Sequence, residues 1–286
     1  MIAVTGATGE LGGRVAARLA AAGATQRLIV RDAARAPDIA GAEVAVAGGY
    51  DDRAGMTDAL RGAETLFLVS GREAADRVAQ HYAAIDAAVD AGVQRIVYTS
   101  FLGAAPDATF TLARHHHLTE EHIRGAGVQH TFLRNSMYLD FVPFFASPGG
   151  VIAGPAGDGR CAWVSRDDVA DVAVAVLTTP GHDGLTYELT GPEAHTLTWA
   201  AEQLTRVTGR EVRYVDETVE QAYASRAKYD APPFEVDGWV TSYLAVKAGE
   251  LDVVTDTVER LAGHAPQALP EFLERNPGSW AHLAPA

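Results

Sequence analysis

The sequence predicts a doubly wound α/β fold, a parallel sheet with helices on both faces. Three observations carry this. Short apolar runs rich in β-branched residues alternate with helical patterns along the first half of the chain. The first run leads into a glycine-rich turn that opens a helix. Small or polar residues (Ser70, Gly71, Thr99, Ser100 and Asn135) fall at the ends of the later runs, where such sheets bind ligands.

Element by element, Ile2 to Thr5 is the first strand, and glycines follow at Gly6, Gly9 and Gly12. Leu11, Val15, Ala16 and Leu19 then share one helical face, with Gly23 as the stop. Strand, glycine turn and helix in this order form a phosphate cradle. Gly6 permits the turn, Gly9 lets backbone approach a pyrophosphate, and Gly12 lets helix and strand pack. The helix start offers free N–H groups. The turn Gly6, Ala7, Thr8, Gly9, Glu10, Leu11 and Gly12 is therefore the expected cofactor contact. The spacing is G-x-x-G-x-x-G. The second strand, 27–30, ends at Arg31, a residue suited to a ribose 2′-phosphate. One such charged hydrogen bond contributes roughly 1.5–3 kcal/mol, favouring NADPH over NADH about tenfold to a hundredfold while leaving NADH possible.

Strands are expected at 42–46, 64–71, 95–100 and 130–135, and helices at 52–61, 75–92 and 112–126. Beyond these, 163–177 reads as a helix capped by Ser165, with Asp167 and Asp168 in its first turn for dipole reasons. Residues 185–191 return a strand to the sheet, 196–209 form an amphipathic helix and 210–216 a strand. The predicted organisation is a dinucleotide-binding domain over 1–134, with 162–191 returning to it. A smaller α/β substrate domain over 135–286 has a loose tail after Asn276.

Of the 286 residues, 48% are hydrophobic and 21% charged, ordinary for a chain with a sizeable core. A formal charge of −14 without a basic stripe argues against nucleic acid as partner. The single cysteine, Cys161, precludes an intrachain disulfide. No apolar run reaches the roughly 18 residues of a membrane span, and the chain opens directly on a strand. A cytosolic monomer or homodimer acting on a small molecule is expected.

On these residues the chain resembles the atypical short-chain dehydrogenase/reductase family, in its NmrA-like branch of type-2 quinone oxidoreductases and triphenylmethane reductases. The stretches that carry the resemblance are "IAVTGATGELGG" (2–13), "IVR" (29–31), "DAGVQRIVYTS" (90–100) and "LTEEHIRGAGVQHTFLRNSMYLDF" (118–141). "AGDGR" (156–160), "SRDDVADVAVAVL" (165–177), "YELTG" (187–191) and "TVERLAGHAP" (257–266) complete it. The resemblance implies an N-terminal Rossmann domain and NADPH held by Gly6 to Gly12, Arg31 and Asn135. Gly49 departs from relatives that often carry an acid there. Some members of the family are non-catalytic sensors.

Typical short-chain reductases use a Ser with a Tyr-x-x-x-Lys pair, in which Tyr protonates the carbonyl oxygen. Here the Ser equivalent is Ser100, and the pair is replaced by Leu112-x-x-x-His116. The run "LARHHHLTEEHI" (112–123) does not converge on one point. Leu112, His116, Thr119 and Ile123 share one helix face with Glu120 at its edge, whereas His115 and His117 read as surface residues. A metal needs three ligands around one point, so none is expected. His116 is either a polar packing residue or a contact to cofactor or substrate. The candidate catalytic residues are His116, Ser100, Asn135 and Tyr138.

Without the Tyr acid, acceptors that spread the incoming charge suit the site best. The expected activity is hydride transfer from NADPH to a quinone-like or other conjugated aromatic acceptor. The alternatives are a ketoreductase for an aromatic polyketide and a non-catalytic NADP-binding regulator. The segment 134–150 and the proline-started segment 228–249 supply the expected acceptor wall: Met137, Tyr138, Phe141, Phe144 and Trp239.

Overall fold

Near-continuous apolar runs give the central strands two buried sides, and the helices supply the covers. In the computed structural model, which describes residues 1–283, seven strands form one sheet. They are β1 (Ile2–Thr5), β2 (Gln26–Val30), β3 (Glu43–Val46), β4 (Thr65–Leu68), β5 (Arg95–Phe101), β6 (Gln129–Asn135) and, later in the chain, Thr186–Leu189. The interleaved helices are α1 (Glu10–Ala21), α2 (Arg53–Leu60), α3 (Arg77–Asp90) and α4 (Thr111–Gly125). The sheet order is β3-β2-β1-β4-β5-β6 followed by Thr186–Leu189, and every pairing is parallel. The chain leaves β1 for β2 on one side and returns to β4 on the other. The carboxyl ends of β1 and β4 therefore open a crevice between the crossovers.

Side-chain alternation assigns the two faces. Val4, Leu28, Phe67, Val97 and Leu133 meet α1 on one face, together with Val169, Val172, Ala173 and Val176 of the helix Arg166–Thr178. Ala3, Ile29, Leu66, Leu68, Ile96, Tyr98 and Phe132 meet α2, α3 and α4 on the other. The Arg166–Thr178 helix starts as expected, with Ser165 accepting from the Asp168 N–H at 3.0 Å. Arg18 of α1 pairs with Asp167 at 2.6 Å and Asp171 at 2.7 Å, which ties that helix to α1.

The remaining elements are α5 (Val142–Phe145), β7 (Val151–Gly154), β8 (Arg160–Cys161), α6 (Arg166–Thr178), β9 (Thr186–Leu189), β10 (His195–Thr196) and α7 (Leu197–Thr208). They continue with β11 (Arg213–Asp216), α8 (Val219–Arg226), α9 (Pro233–Lys247), α10 (Thr257–Ala262) and α11 (Leu269–Arg275). β11 pairs in parallel with β7 and β10 antiparallel with β8, and a second core forms around Ile152, Trp163, Leu204, Val212, Val246 and Phe272.

The tail is not loose as far as it is described. Leu283 is fully buried in that second core, and the Trp280 indole N–H donates to the Leu273 carbonyl at 2.9 Å. An apolar residue separated from the preceding helix by a short turn finds the core within reach, and polar neighbours in sequence do not prevent it.

One buried charge cluster locks α4 to the sheet. Glu120 has no exposed side-chain surface. It takes two hydrogen bonds from the Arg134 guanidinium of β6, at 2.9 and 2.7 Å, one from Ser100 of β5 at 2.6 Å and one from Arg124 at 3.1 Å. All the lone pairs of a desolvated carboxylate are thus matched, the condition under which a buried ion pair is tolerated. Replacing Glu120 by Ala strands the Arg134 fork and should lower stability by about 3 kcal/mol, the low end for a broken buried pair because Arg134 still touches water. Glu120→Gln should lose less, and urea unfolding of the two variants measures the difference.

Candidate active site

Thr5 cinches the two strands that flank the crevice. Its hydroxyl donates to the Phe67 carbonyl at 3.1 Å and accepts from the Val69 N–H at 3.0 Å. The Tyr50 hydroxyl sits 2.5 Å from the Val69 carbonyl and 2.8 Å from Thr5 Oγ1. From this anchor Gly6 turns with φ of +64°, in the left-handed region, and its carbonyl accepts the Gly9 N–H at 2.9 Å. A Cβ on Gly12 would lie 2.3 Å from that same Gly6 oxygen, so only glycine lets α1 begin this close to the strand. Gly9 is the N-cap, and no side chain satisfies the first amides of α1. Thr8, Gly9 and Glu10 are exposed, whereas Ala7, Leu11 and Gly12 are buried. The result is an open helix N-terminus with aligned N–H groups, a ready anion site.

Other predicted residues gather on the same edge. Arg31 is exposed at the end of β2, and the adjacent Asp32 is occupied capping a turn through the Ala34 N–H at 3.0 Å. Among the described residues Arg31 forms no salt bridge. The Ser70 N–H donates to Thr99 Oγ1 at 2.7 Å. Asn135, 2% exposed, donates through Nδ2 to the Tyr138 hydroxyl at 3.1 Å, while its Oδ1 is buried with no partner. Because Tyr138 accepts that bond, its own proton is not committed to Asn135. Burial pushes the Tyr138 phenol up to about 12, so the proton stays on.

His116 is on the inward face, but neither ring nitrogen is free. The Arg77 guanidinium, which can only donate, lies 3.0 Å from Nε2. Nδ1 must then carry the hydrogen, and it donates to the Tyr98 hydroxyl at 2.8 Å. His81 has the same tautomer: the Gly71 N–H donates to its Nε2 at 2.8 Å, and Nδ1 points to Thr119 Oγ1 at 2.9 Å. Burial first, then the Arg77 charge, holds both imidazoles well below the usual histidine value of 6.5, so both are neutral. His116 is therefore a buried link between Arg77 and Tyr98. The Ser100 hydroxyl is 3% exposed and donates to Glu120. His115, expected on the surface, is half-buried with its Nδ1 enclosed and unpartnered. Among the described residues, no three His, Cys, Asp or Glu side chains converge on a metal position.

Arg77 and His81 escaped the sequence reading although a signal existed. They lie four residues apart on the α3 face that also buries Ala84, Ile85 and Ala88, so a charge and an imidazole sit on a core-facing stripe.

The residues expected at an acceptor wall separate in the structure. An apolar hollow is lined by Met137, Phe145, Trp163, Leu197, Ser242, Tyr243 and Val246. Met137 lines it, whereas Phe141 and Phe144 are 46% and 64% exposed. The 3-10 turn Leu139–Phe141 and α5 send Leu139 and Val142 into the core, and Phe141 and Phe144 onto the outer side. Phe141 and Tyr138 both lie under the Arg166 guanidinium, and Phe144 stacks on His282. Trp239 packs edge-on against Tyr229 and does not line the hollow. The unexpected wall residue is Trp163, 3% exposed, whose indole N–H has no partner.

The two neutral histidines make stability pH-dependent. Their folded pKa values are depressed, so below 6.5 the unfolded chain takes up protons that the folded chain refuses. Stability is therefore lost as pH falls from about 6.5 toward the depressed folded values, by up to about 1.4 kcal/mol per pH unit for each histidine. Urea midpoints between pH 7 and 5 should show this slope, and a His116→Gln variant should flatten it by one histidine.

Comparison with known proteins places the chain. The model of the NmrA-like family matches residues 1–236. Quinone oxidoreductase 2 of Escherichia coli is 36% identical over 277 residues, 95% of this chain and 96% of that one. An NADPH-dependent quinone oxidoreductase from E. coli, solved with NADPH, matches with a TM-score of 0.88 over 96% of this chain and 99% of that one. A (4-alkanoyl-5-oxo-2,5-dihydrofuran-3-yl)methyl phosphate reductase of Streptomyces griseus is 38% identical over 272 residues, covering 92% and 93% of the two chains. The Citrobacter triphenylmethane reductase complexed with NADP(H) matches with a TM-score of 0.85 at 31% identity, over 96% and 99%. With the glycine turn, the parallel sheet and near full-length similarity all in agreement, this chain belongs to the NmrA-like family.

Proposed function

We propose that this chain is an NADPH-dependent oxidoreductase that passes hydride to a quinone-like or other conjugated aromatic acceptor. The observation that carries this reading is one edge of the sheet. The open α1 N-terminus, Arg31 and the unpartnered Asn135 Oδ1 stand at the carboxyl ends of the strands, and Met137, two residues past Asn135, lines an apolar hollow together with Trp163. The E. coli relative is an NADPH-dependent quinone oxidoreductase, and the Citrobacter relative reduces triphenylmethane dyes.

The residues fit a dinucleotide phosphate. The turn Gly6 to Gly12 leaves room that a Cβ would fill and directs backbone N–H groups outward, which suits a pyrophosphate. Arg31 would hold the ribose 2′-phosphate, with NADH as the weaker cofactor. Ser70, Gly71 and Thr99 line the same edge, and Asn135 offers the buried carbonyl oxygen that lacks a donor. When bound, the cofactor supplies hydride, two electrons carried with one hydrogen nucleus.

The chain's own residues do the rest. Phe145, Trp163 and Tyr243 with Met137 line the apolar hollow, which in this reading widens to take a ring and keep water from it. The buried, unpartnered Trp163 N–H is the donor proposed for an acceptor oxygen. Tyr138, with its proton held tightly, donates a hydrogen bond more readily than it releases the proton. Conjugated acceptors tolerate this, because they delocalise the charge that a plain ketone would concentrate on one oxygen. We assign residues 1–134, with 162–191 returning, to the cofactor half and 135–286 to the acceptor half of a cytosolic protein.

Purified protein should oxidise NADPH in the presence of a quinone, followed as loss of NADPH absorbance. Arg31→Glu should shift the NADPH-to-NADH preference tenfold to a hundredfold toward NADH. Trp163→Phe should raise the quinone KM about fivefold with NADPH affinity unchanged, the effect of one lost hydrogen bond. Tight NADPH binding without oxidation by quinones, dyes or aryl ketones would sink the enzymatic reading in favour of a sensor. Turnover of aryl ketones alone would replace the quinone acceptor with a ketone.

A further inference from the structure

Arg77 is a buried cation that no carboxylate among the described residues pairs at salt-bridge distance. It opens α3 just after the loop that follows β4, and its side chain is 3% exposed. Nε donates to the Gly71 carbonyl at 2.8 Å, one terminal nitrogen donates to His116 at 3.0 Å, and the other, Nη1, is buried with no partner. Among the described residues Arg77 forms no salt bridge. Its polar surroundings are neutral. The Tyr50 and Tyr98 phenols are pushed up by burial and keep their protons, and His81 and His116 are uncharged. Glu73 is the one acid whose charge reaches Arg77, and it forms no salt bridge with it; burial first, then the nearby Glu235, pushes its pKa up.

An uncompensated charge in a dry interior is costly and persists where something offsets it. Arg77 also adjoins the proposed reaction site. The Gly71 carbonyl it holds lies on the cofactor edge. The His116 ring it contacts stacks on Phe101, at 6.1 Å between centroids and 28° between planes. Phe101 pairs in register with Asn135 and packs on the same second core as Met137, Phe145 and Tyr243. His116 and Phe101 thus link the guanidinium to that core.

We propose that Arg77 determines which acceptors this site reduces, favouring those that become anionic on taking hydride over those that arrive as cations. The proposal rests on the reductase reading above. A quinone that gains a hydride becomes a quinol monoanion, and one proton from water then yields the neutral quinol. A cationic triphenylmethane dye that gains the same hydride becomes a neutral leuco product and needs no proton. In each case the cofactor leaves oxidised, having given up two electrons and one hydrogen nucleus. The field of Arg77 stabilises the forming quinol anion and opposes entry of the cation. The expected rate factor is on the order of tenfold, equivalent to about 1.4 kcal/mol of transition-state stabilisation. Arg77 acts through its field and through His116, as a specificity-determining and positioning residue.

The test compares Arg77→Met with the wild type on two acceptors, a neutral quinone and a cationic triphenylmethane dye. Quinone kcat/KM should fall on the order of tenfold while dye kcat/KM stays level or rises, and Arg77→Lys should recover much of the quinone rate. An equal fall on both acceptors, or no fall on the quinone, overturns the proposal. Wild-type protein that reduces neither acceptor would instead overturn the reductase reading. A second measurement needs no variant: a chlorinated phenol bound to the wild type with NADPH should ionise at lower pH than the free phenol, read from its phenolate absorbance. A bound phenol that ionises at the same or higher pH overturns the proposal.

Discussion

The contact between the Gly12 backbone and the Gly6 carbonyl is the constraint on which the rest of the cofactor edge depends. A helix can direct its first amides at a ligand only if it starts immediately above the strand end. A side chain at Gly12 would hold it away, since its Cβ would fall 2.3 Å from the Gly6 oxygen. With α1 in place, its far side packs under α6, and Arg18 pairs with Asp167 and Asp171. The ligand-binding end of the helix and its attachment to the later half of the sheet follow from one close approach.

Polarity on the two faces of the sheet is handled differently. The α1 and α6 face is almost wholly aliphatic. The opposite face contains two polar groupings, on α3 and α4, and they obey opposite rules. Glu120 is charged and fully paired, so its desolvation is met by Arg134, Arg124 and Ser100. His116 and His81 are uncharged and hydrogen-bonded on both nitrogens, so burial costs them little while they remain neutral. Only Arg77 satisfies neither rule, being charged and unpaired, and it lies beside the crevice. Buried polar groups that break the usual balance concentrate at functional sites, where a ligand completes them.

His116 is hydrogen-bonded on both ring nitrogens, to Arg77 and to Tyr98. In the proposed reading Trp163 and Tyr138 serve as donors that stabilise charge, and a site of that kind suits substrates whose product charge is spread over a ring system. The butenolide-type reductase relative of S. griseus and the quinone and dye reductases are named for acceptors with extended conjugation.

How much of this was legible in the sequence depends on the range of the interaction involved. The order of strands and helices follows from local periodicity and turn residues, so the parallel sheet, the glycine turn, Arg31 at the end of β2 and Asn135 at the end of β6 were all readable along the chain. Helical spacing also placed His116 and Thr119 inward. What the inward face met was not readable, because Arg77, Tyr98, Ser100 and Arg134 reach α4 from separate elements. The hollow was misread for a related reason: residues after Tyr138 turn through a 3-10 step, and one shift of helical phase moves Phe141 and Phe144 from wall to surface. Trp163 and Tyr243 took their places from segments far along the chain. The sequence by itself determined backbone architecture and the cofactor edge, since both are encoded within single strand-turn-helix units. Tertiary structure alone decided the protonation of the histidines, the burial of Arg77 and which side chains line the apolar hollow, since burial and long-range contacts set these.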